Sequence, residues 1–119
     1  MSEAEKLIER MRRAREVEAK ALGFRFTVRV PNAGEMEDIA ESLGGKRLSY
    51  RRILHSAVVG WSLKEIDLIP GGSPEPVPFD SRLFAEWLND NEDAIAPLFK
   101  AVTDAFEARR AKREEEAKN

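Results

Sequence analysis

Polar and apolar positions along the chain follow a helical period nearly everywhere and alternate in one clear stretch. Ser2-Glu3-Ala4-Glu5 opens the first helical pattern as a capping box, in which Ser and Glu satisfy two first-turn amides. Leu7, Ile8, Met11 and Ala14 follow at spacings of three and four, Glu9/Arg13 and Glu16/Lys20 stand as i,i+4 pairs, and Gly23 sits where a helix ends. The pattern predicts a helix over 2–22 whose thin apolar stripe either docks weakly or pairs with another chain. Phe24, Phe26, Val28 and Val30 then alternate with Arg25, Thr27 and Arg29, which predicts a half-buried strand closed by Pro31. A lone strand leaves its backbone unpaired, and the other short alternating stretch, Glu65-Ile66-Asp67-Leu68, is its expected partner.

Asn32 and Glu35 repeat the helix-start signal, Met36, Ile39, Ala40 and Leu43 form a stripe, and Gly44-Gly45 stops it. Tyr50, Ile53, Leu54, Ala57, Val58 and Trp61 recur at intervals of 3, 1, 3, 1 and 3, the strongest helical pattern and the expected core helix. Residues 70–78, PGGSPEPVP, continue neither helix nor strand and read as an ordered loop or a hinge. Asp80 caps the next helix, with Phe79 and Phe84 placed as a hydrophobic staple and Leu83, Trp87 and Leu88 continuing the apolar face. After Asn89-Asp90-Asn91 a last helix carries Ile95, Leu98, Phe99, Val102 and Phe106 on one side, with Pro97 tolerated near its first turn. Beyond Phe106 the apolar residues are alanines only.

The expected fold is therefore mainly α, a single small domain over 1–119 of about five helices with at most a short two-stranded sheet. Residues 1–22 form a helical arm and 107–119 a charged C-terminal tail, either a protruding helix or a frayed end.

Composition sharpens this picture. A chain of 119 residues matches one domain. Charged residues reach 35%, so much of its helix surface stays solvated around a small core. Twenty Lys and Arg are interleaved with 22 Asp and Glu, and the net charge of -2 gives no single-sign field to draw in nucleic acid or an anionic membrane. The absence of cysteine excludes disulfides, thiolate nucleophiles and sulfur-ligated zinc, and fits a reducing cytoplasm. The N-terminal segment has no apolar stretch of secretory-signal length, and no run is long enough to span a bilayer.

Candidate chemistry is sparse. His55, the single histidine, lacks a second His to share a metal and reads as a boundary side chain of the core helix. The pairs Glu35/Glu37, Glu65/Asp67 and Asp90/Asp93 match no calcium loop. Gly44-Gly45-Lys46 and Gly71-Gly72-Ser73 lack the full phosphate-loop pattern and read as turns. Arg12-Arg13, Arg51-Arg52 and Arg109-Arg110 raise nucleic-acid binding, but each is flanked by acids or core positions. No catalytic residue, metal ligand or cofactor loop emerges, so the expectation is a non-enzymatic protein that works by binding. The candidate protein-binding residues are Leu7, Ile8 and Met11 on the first helix and Leu98, Phe99, Val102 and Phe106 on the last. The competing reading is that these two faces pack on each other or on the core helix.

From Arg47 to Asn119 the chain resembles the tail assembly chaperones of long-tailed bacteriophages. The resemblance rests on an apolar helix ending Val59-Gly60-Trp61, a short acidic turn with Ile66-Asp67-Leu68, a Pro-rich loop, Pro78-Phe79-Asp80 opening a helix with Trp87-Leu88, and a charged last helix closing in Lys118-Asn119. The strand-like Phe24 to Val30 before Pro31 is also similar, so most of the chain is covered. Gly60, Trp61, Pro78, Phe79 and Trp87 match the recurring positions and read as determinants of the fold. The resemblance implies that the protein binds the tape measure protein, a long apolar helical chain, keeps it soluble in the host cytoplasm until tail tube subunits polymerise around it, and is absent from the mature virion. It further implies a programmed frameshift, compatible with Lys118-Asn119, that yields a longer product engaging the tail tube protein; this chain then corresponds to the short form. Homo-oligomers are expected to be open to a protein with exposed stripes on two arms. The alternatives are a small structural or adaptor protein of the virion and, more distantly, a helical DNA-binding regulator.

Overall fold

The computed structural model describes residues 2–42 and 50–118, and within these the chain forms six α-helices and a three-stranded antiparallel sheet. The elements are α1 (Glu3–Arg13), β1 (Glu16–Ala21), β2 (Phe24–Arg29), α2 (Ala33–Ser42), α3 (Tyr50–Ala57), β3 (Val58–Trp61), α4 (Glu65–Leu68), α5 (Ser81–Asp90), a 3-10 turn over Glu92–Ala94, and α6 (Ile95–Lys118). The expected helix stops at Gly44-Gly45, together with Leu43 and the Ile39 side chain, lie outside the described residues.

The mainly helical expectation holds, while the sheet has three strands and not two. The first departure is at residues 16–21, which form β1 instead of completing a helix over 2–22. Gly23 does not end a helix. With Leu22 it is the two-residue turn of a β1–β2 hairpin, both residues having positive φ (52° and 83°), as the right-handed twist of paired strands favours. Glu16 consequently lies opposite Arg29 and pairs with it at 3.3 Å, and Lys20 is not its partner. The second departure is at Val58–Trp61, where the core-helix pattern continues in sequence but the backbone extends into β3 and pairs with β2. The third is Glu65–Leu68, which is the single-turn helix α4 and not a strand.

The sheet separates charge from core by the two-residue period of its strands. Ala19, Phe26 and Val28 are buried, and so is Val58 across from Val28. Glu16, Glu18, Arg25 and Arg29 occupy the other face, where Arg25 meets Glu18 at 3.4 Å. Helices α3, α5 and α6 complete the core over the apolar face with Leu54, Phe84, Leu88 and Leu98 fully buried. Ala19 and Ala21 carry little bulk, which suits the close passage of α6 over β1.

Local signals read from sequence are present where their chemistry is self-contained. The Ser2 hydroxyl accepts from the Glu5 N–H at 3.1 Å, which is the Ser half of the expected capping box; the Glu5 carboxylate does not return a bond to the Ser2 N–H. The Asn32 side chain accepts from Glu35 N–H at 2.8 Å and the Glu35 carboxylate accepts from Asn32 N–H at 3.3 Å, a complete capping box. Asp80 caps α5 through the N–H groups of Arg82 and Leu83, and the rings of Phe79 and Phe84 lie 6.0 Å apart as a staple. Residues 70–78 form an ordered loop, tied by Ser73 N–H to the Glu65 carboxylate at 3.1 Å and by Val77 N–H to the Leu63 carbonyl at 3.0 Å. With α6 alone rising about 36 Å, the Cα radius of gyration is 16.0 Å. A compact domain of this length would have about 13.5 Å. The excess lies in the arms.

Candidate protein-binding cleft

The first helix and the C-terminal half of the last line one cleft. Ile8, Met11 and Arg12 of α1 face Phe106, Arg109, Arg110 and Arg113 of α6 across a cleft of about 850 Å³, closed at its base by Ala14, Arg15 and the Pro31-Asn32-Ala33 turn. The α6 wall continues through Glu114 and Ala117. Its six positions, 106, 109, 110, 113, 114 and 117, form one helical face of about three turns.

Neither wall is covered. No residue of α1 is buried, and Ile8 (47%), Met11 (63%) and Phe106 (37%) keep much of their surface exposed. Apolar side chains left facing water in a cleft stabilise whatever covers them by about 25 cal/mol per Å² removed from water.

The base is held by one side chain. Arg15, buried to 8% exposure, donates from Nη1 to the Val30 carbonyl at 2.9 Å and to the Glu35 carboxylate, so the end of α1, the end of β2 and the start of α2 share a single guanidinium. Burial raises the Glu35 carboxyl pKa, but the hydrogen bonds from Arg15 and the Asn32 N–H, with the charges of Arg15 and Arg29, outweigh it and hold the group below its ordinary value.

The seven residues singled out in the sequence separate into three sets. Ile8, Met11 and Phe106 come together in the cleft. Leu98 and Val102 lie in the core at 0% and 4% exposure and offer no surface to a partner. Phe99 is half-buried and packs on Tyr50 with ring centroids 4.4 Å apart, beside a second cavity of about 700 Å³ that includes Arg51, Glu92 and Lys100. Leu7 is exposed on α1 outside the cleft. What sequence reasoning missed is the base, Ala14, Arg15, Pro31 and Ala33, and the arginine rim. The doublets were visible in the sequence, but their convergence from opposite ends of the chain was not.

The doublets do not form a continuous basic track. Arg13 is paired with Glu9 at 2.7 Å, Arg51 with Glu92 at 2.7 Å, and Arg110 with Glu114 at 3.4 Å. His55 is exposed on α3 with its ring T-shaped to that of Phe84, centroids 6.1 Å apart, and partial burial, followed by the charges of Arg51 and Arg52, lowers its pKa. Among the described residues no group of three or more His, Cys, Asp or Glu could hold a metal ion, and no helix is long and apolar enough to cross a membrane.

The positions of the family-like pattern gather away from the cleft. Trp61 donates Nε1–H to the Val77 carbonyl at 2.7 Å and packs edge-on to Phe79 at 5.2 Å. Phe79 leads to Phe84, and Trp87 packs on Phe26 at 5.2 Å. Pro78 is exposed just before Phe79. Gly60 lies opposite Thr27, where a Cβ would come within 3.2 Å of the Thr27 side chain. Comparison with protein-family models, with curated proteins and with solved structures finds no match to this chain.

Proposed function

We propose that this protein is a tail assembly chaperone of a long-tailed bacteriophage that binds the tape measure protein and keeps it soluble in the host cytoplasm, acting by contact and not by catalysis. The observation that carries the reading is the uncovered cleft between α1 and α6, whose apolar residues Ile8, Met11 and Phe106 suit the apolar stripe of a helical client. The ordered pattern from Val59-Gly60-Trp61 through Pro78-Phe79-Asp80 to Trp87-Leu88 supports the same assignment. In this reading the aromatic cluster of Trp61, Phe79, Phe84 and Trp87 fixes the scaffold and the two terminal helices hold the client. Tail tube protein is engaged by a longer frameshifted form.

The test is co-expression with the tape measure protein of the same phage, scored by client solubility and by pull-down. Soluble co-purification and absence of the chaperone from purified virions are expected. An insoluble client with no complex would overturn the reading, and the protein's presence in virions would favour a structural adaptor.

A further inference from the structure

The charges around the cleft are one-sided although the chain as a whole is slightly acidic. Five arginines line it, Arg12, Arg15, Arg109, Arg110 and Arg113, against one carboxylate, Glu114. Arg15 is held by Glu35 and Arg110 by Glu114. Three guanidiniums remain, Arg12 on the α1 wall and Arg109 and Arg113 on the α6 wall, with no carboxylate in ion-pair range among the described residues.

We infer that the cleft selects an amphipathic helix whose apolar stripe is flanked by carboxylates. The inference rests on the docking role assigned to the cleft and specifies which partner segment it takes. The walls are two helix faces, so a third helix lying between them packs side chains into the grooves of both. The α6 face offers about three turns, enough for about 11 residues of a partner. Ile8, Met11 and Phe106 meet the partner's apolar stripe. Arg109 and Arg113 stand one turn apart, about 6 Å along the axis, which matches carboxylates at i and i+4 on one flank of the stripe. Arg12 meets the other flank from the opposite wall. Guanidinium bonds carboxylate through two parallel N–H groups, so the rim fixes the rotation of the bound helix as well as its sign of charge. Duplex nucleic acid fits poorly, because its phosphates would cover Ile8, Met11 and Phe106 without desolvating them against anything apolar.

The experiment uses the full chain and two labelled peptides of about 15 residues with the same leucine stripe in an alanine background, one flanked by Glu and the other by Lys. Fluorescence anisotropy at low salt is expected to show the Glu peptide binding at least about tenfold tighter, with the preference falling below about threefold in 1 M salt. The preference runs against the protein's net charge of -2, so it reports the cleft and not the global field. The triple variant R12Q/R109Q/R113Q, whose circular dichroism should be unchanged, is expected to lose the preference and retain weak apolar binding to both peptides. Equal affinities, preference for the Lys peptide, binding of neither, displacement by random-sequence duplex DNA, or a homodimer that the triple variant dissociates would each overturn the inference. The chaperone reading is scored separately. If wild type keeps the tape measure protein soluble and the triple variant does so equally, charge selection fails and the chaperone reading stands. If wild type leaves the client insoluble, the chaperone reading fails whatever the peptides do.

Discussion

Arg15 and Val30 are joined twice: Val30 N–H donates to the Arg15 carbonyl at 2.9 Å, and Arg15 Nη1 donates to the Val30 carbonyl at 2.9 Å. The pair closes the open end of the β1–β2 hairpin opposite its Leu22-Gly23 turn. It also sets where α1 leaves the sheet, and therefore the width of the cleft.

Replacing Arg15 by Ala is expected to lower stability by about 2 to 3 kcal/mol, because the buried Val30 carbonyl loses its side-chain donor and the Glu35 carboxylate is left with the Asn32 N–H alone. Glu35 is partly exposed, which keeps the figure below that of a fully buried pair. Arg15→Lys should recover only part of it: both bonds come from the single Nη1 nitrogen, and the shorter, more strongly hydrated ammonium does not reach that position equally well. Urea midpoints of the two variants check this, and an Arg15→Ala variant as stable as wild type would show that α1 is not anchored there.

The aromatic cluster predicts a graded response. Trp87 is 4% exposed and packs on Phe26, Phe84 and Phe24, so Trp87→Ala should cost about 3 to 5 kcal/mol. Trp61 is only half-buried, and Trp61→Phe keeps an aromatic ring against Phe79 while removing the hydrogen bond to Val77, a loss of about 1 kcal/mol. Chemical denaturation of the two variants should separate them clearly.

Acidification should destabilise the fold in two stages. His55 is held below its ordinary value near 6.5 and Glu35 below its ordinary 4.5. For both groups the unfolded chain binds more protons in the window between the two values. The His55 contribution is thus fully present above pH 6.5 and declines as pH falls from there toward its folded pKa. Glu35 adds a second decline beginning near pH 4.5. His55→Gln should flatten the decline of melting temperature that begins as pH falls below 6.5 while leaving the decline that begins near pH 4.5 intact. An unchanged slope in the upper range would remove His55 as its cause.

How far the fold could be read in the sequence followed the range of the forces involved. The Ser2, Asn32/Glu35 and Asp80 caps and the Phe79/Phe84 staple are decided within five residues and are where the pattern put them. Residues 16–21, EVEAKA, carry good helix formers and become β1 because tertiary contact decides: Phe26 and Val28 need a partner strand, and α6 needs small residues such as Ala19 beneath it. Val58–Trp61 is ambiguous by period for the same reason, since a short apolar run suits either state until Phe26 and Val28 pair with it. Ile8, Met11 and Phe106 were visible as surplus apolar residues. Leu98 and Val102 were not separable from them, because the stripe of α6 runs unbroken from core to arm and only the third dimension shows where the sheet ends.

That division along α6 yields the last prediction. Phe106, Met11 and Ile8 face the open cleft, so changing all three to Gln should shift stability by no more than about 0.5 kcal/mol per site. Leu98, one continuous stripe away on the same helix, is fully buried, and Leu98→Ala should cost about 2 to 5 kcal/mol. If the cleft is the client site, the Gln variant stays folded, its melting temperature lower by no more than about 6 °C, yet fails to keep the tape measure protein soluble. A Leu98→Ala variant that fails the same assay does so by unfolding, which its melt reveals. Loss of client solubility in step with melting temperature across both variants would mean that the cleft contributes stability alone, and the contact surface would have to be sought elsewhere, beginning with the Tyr50–Phe99 cavity.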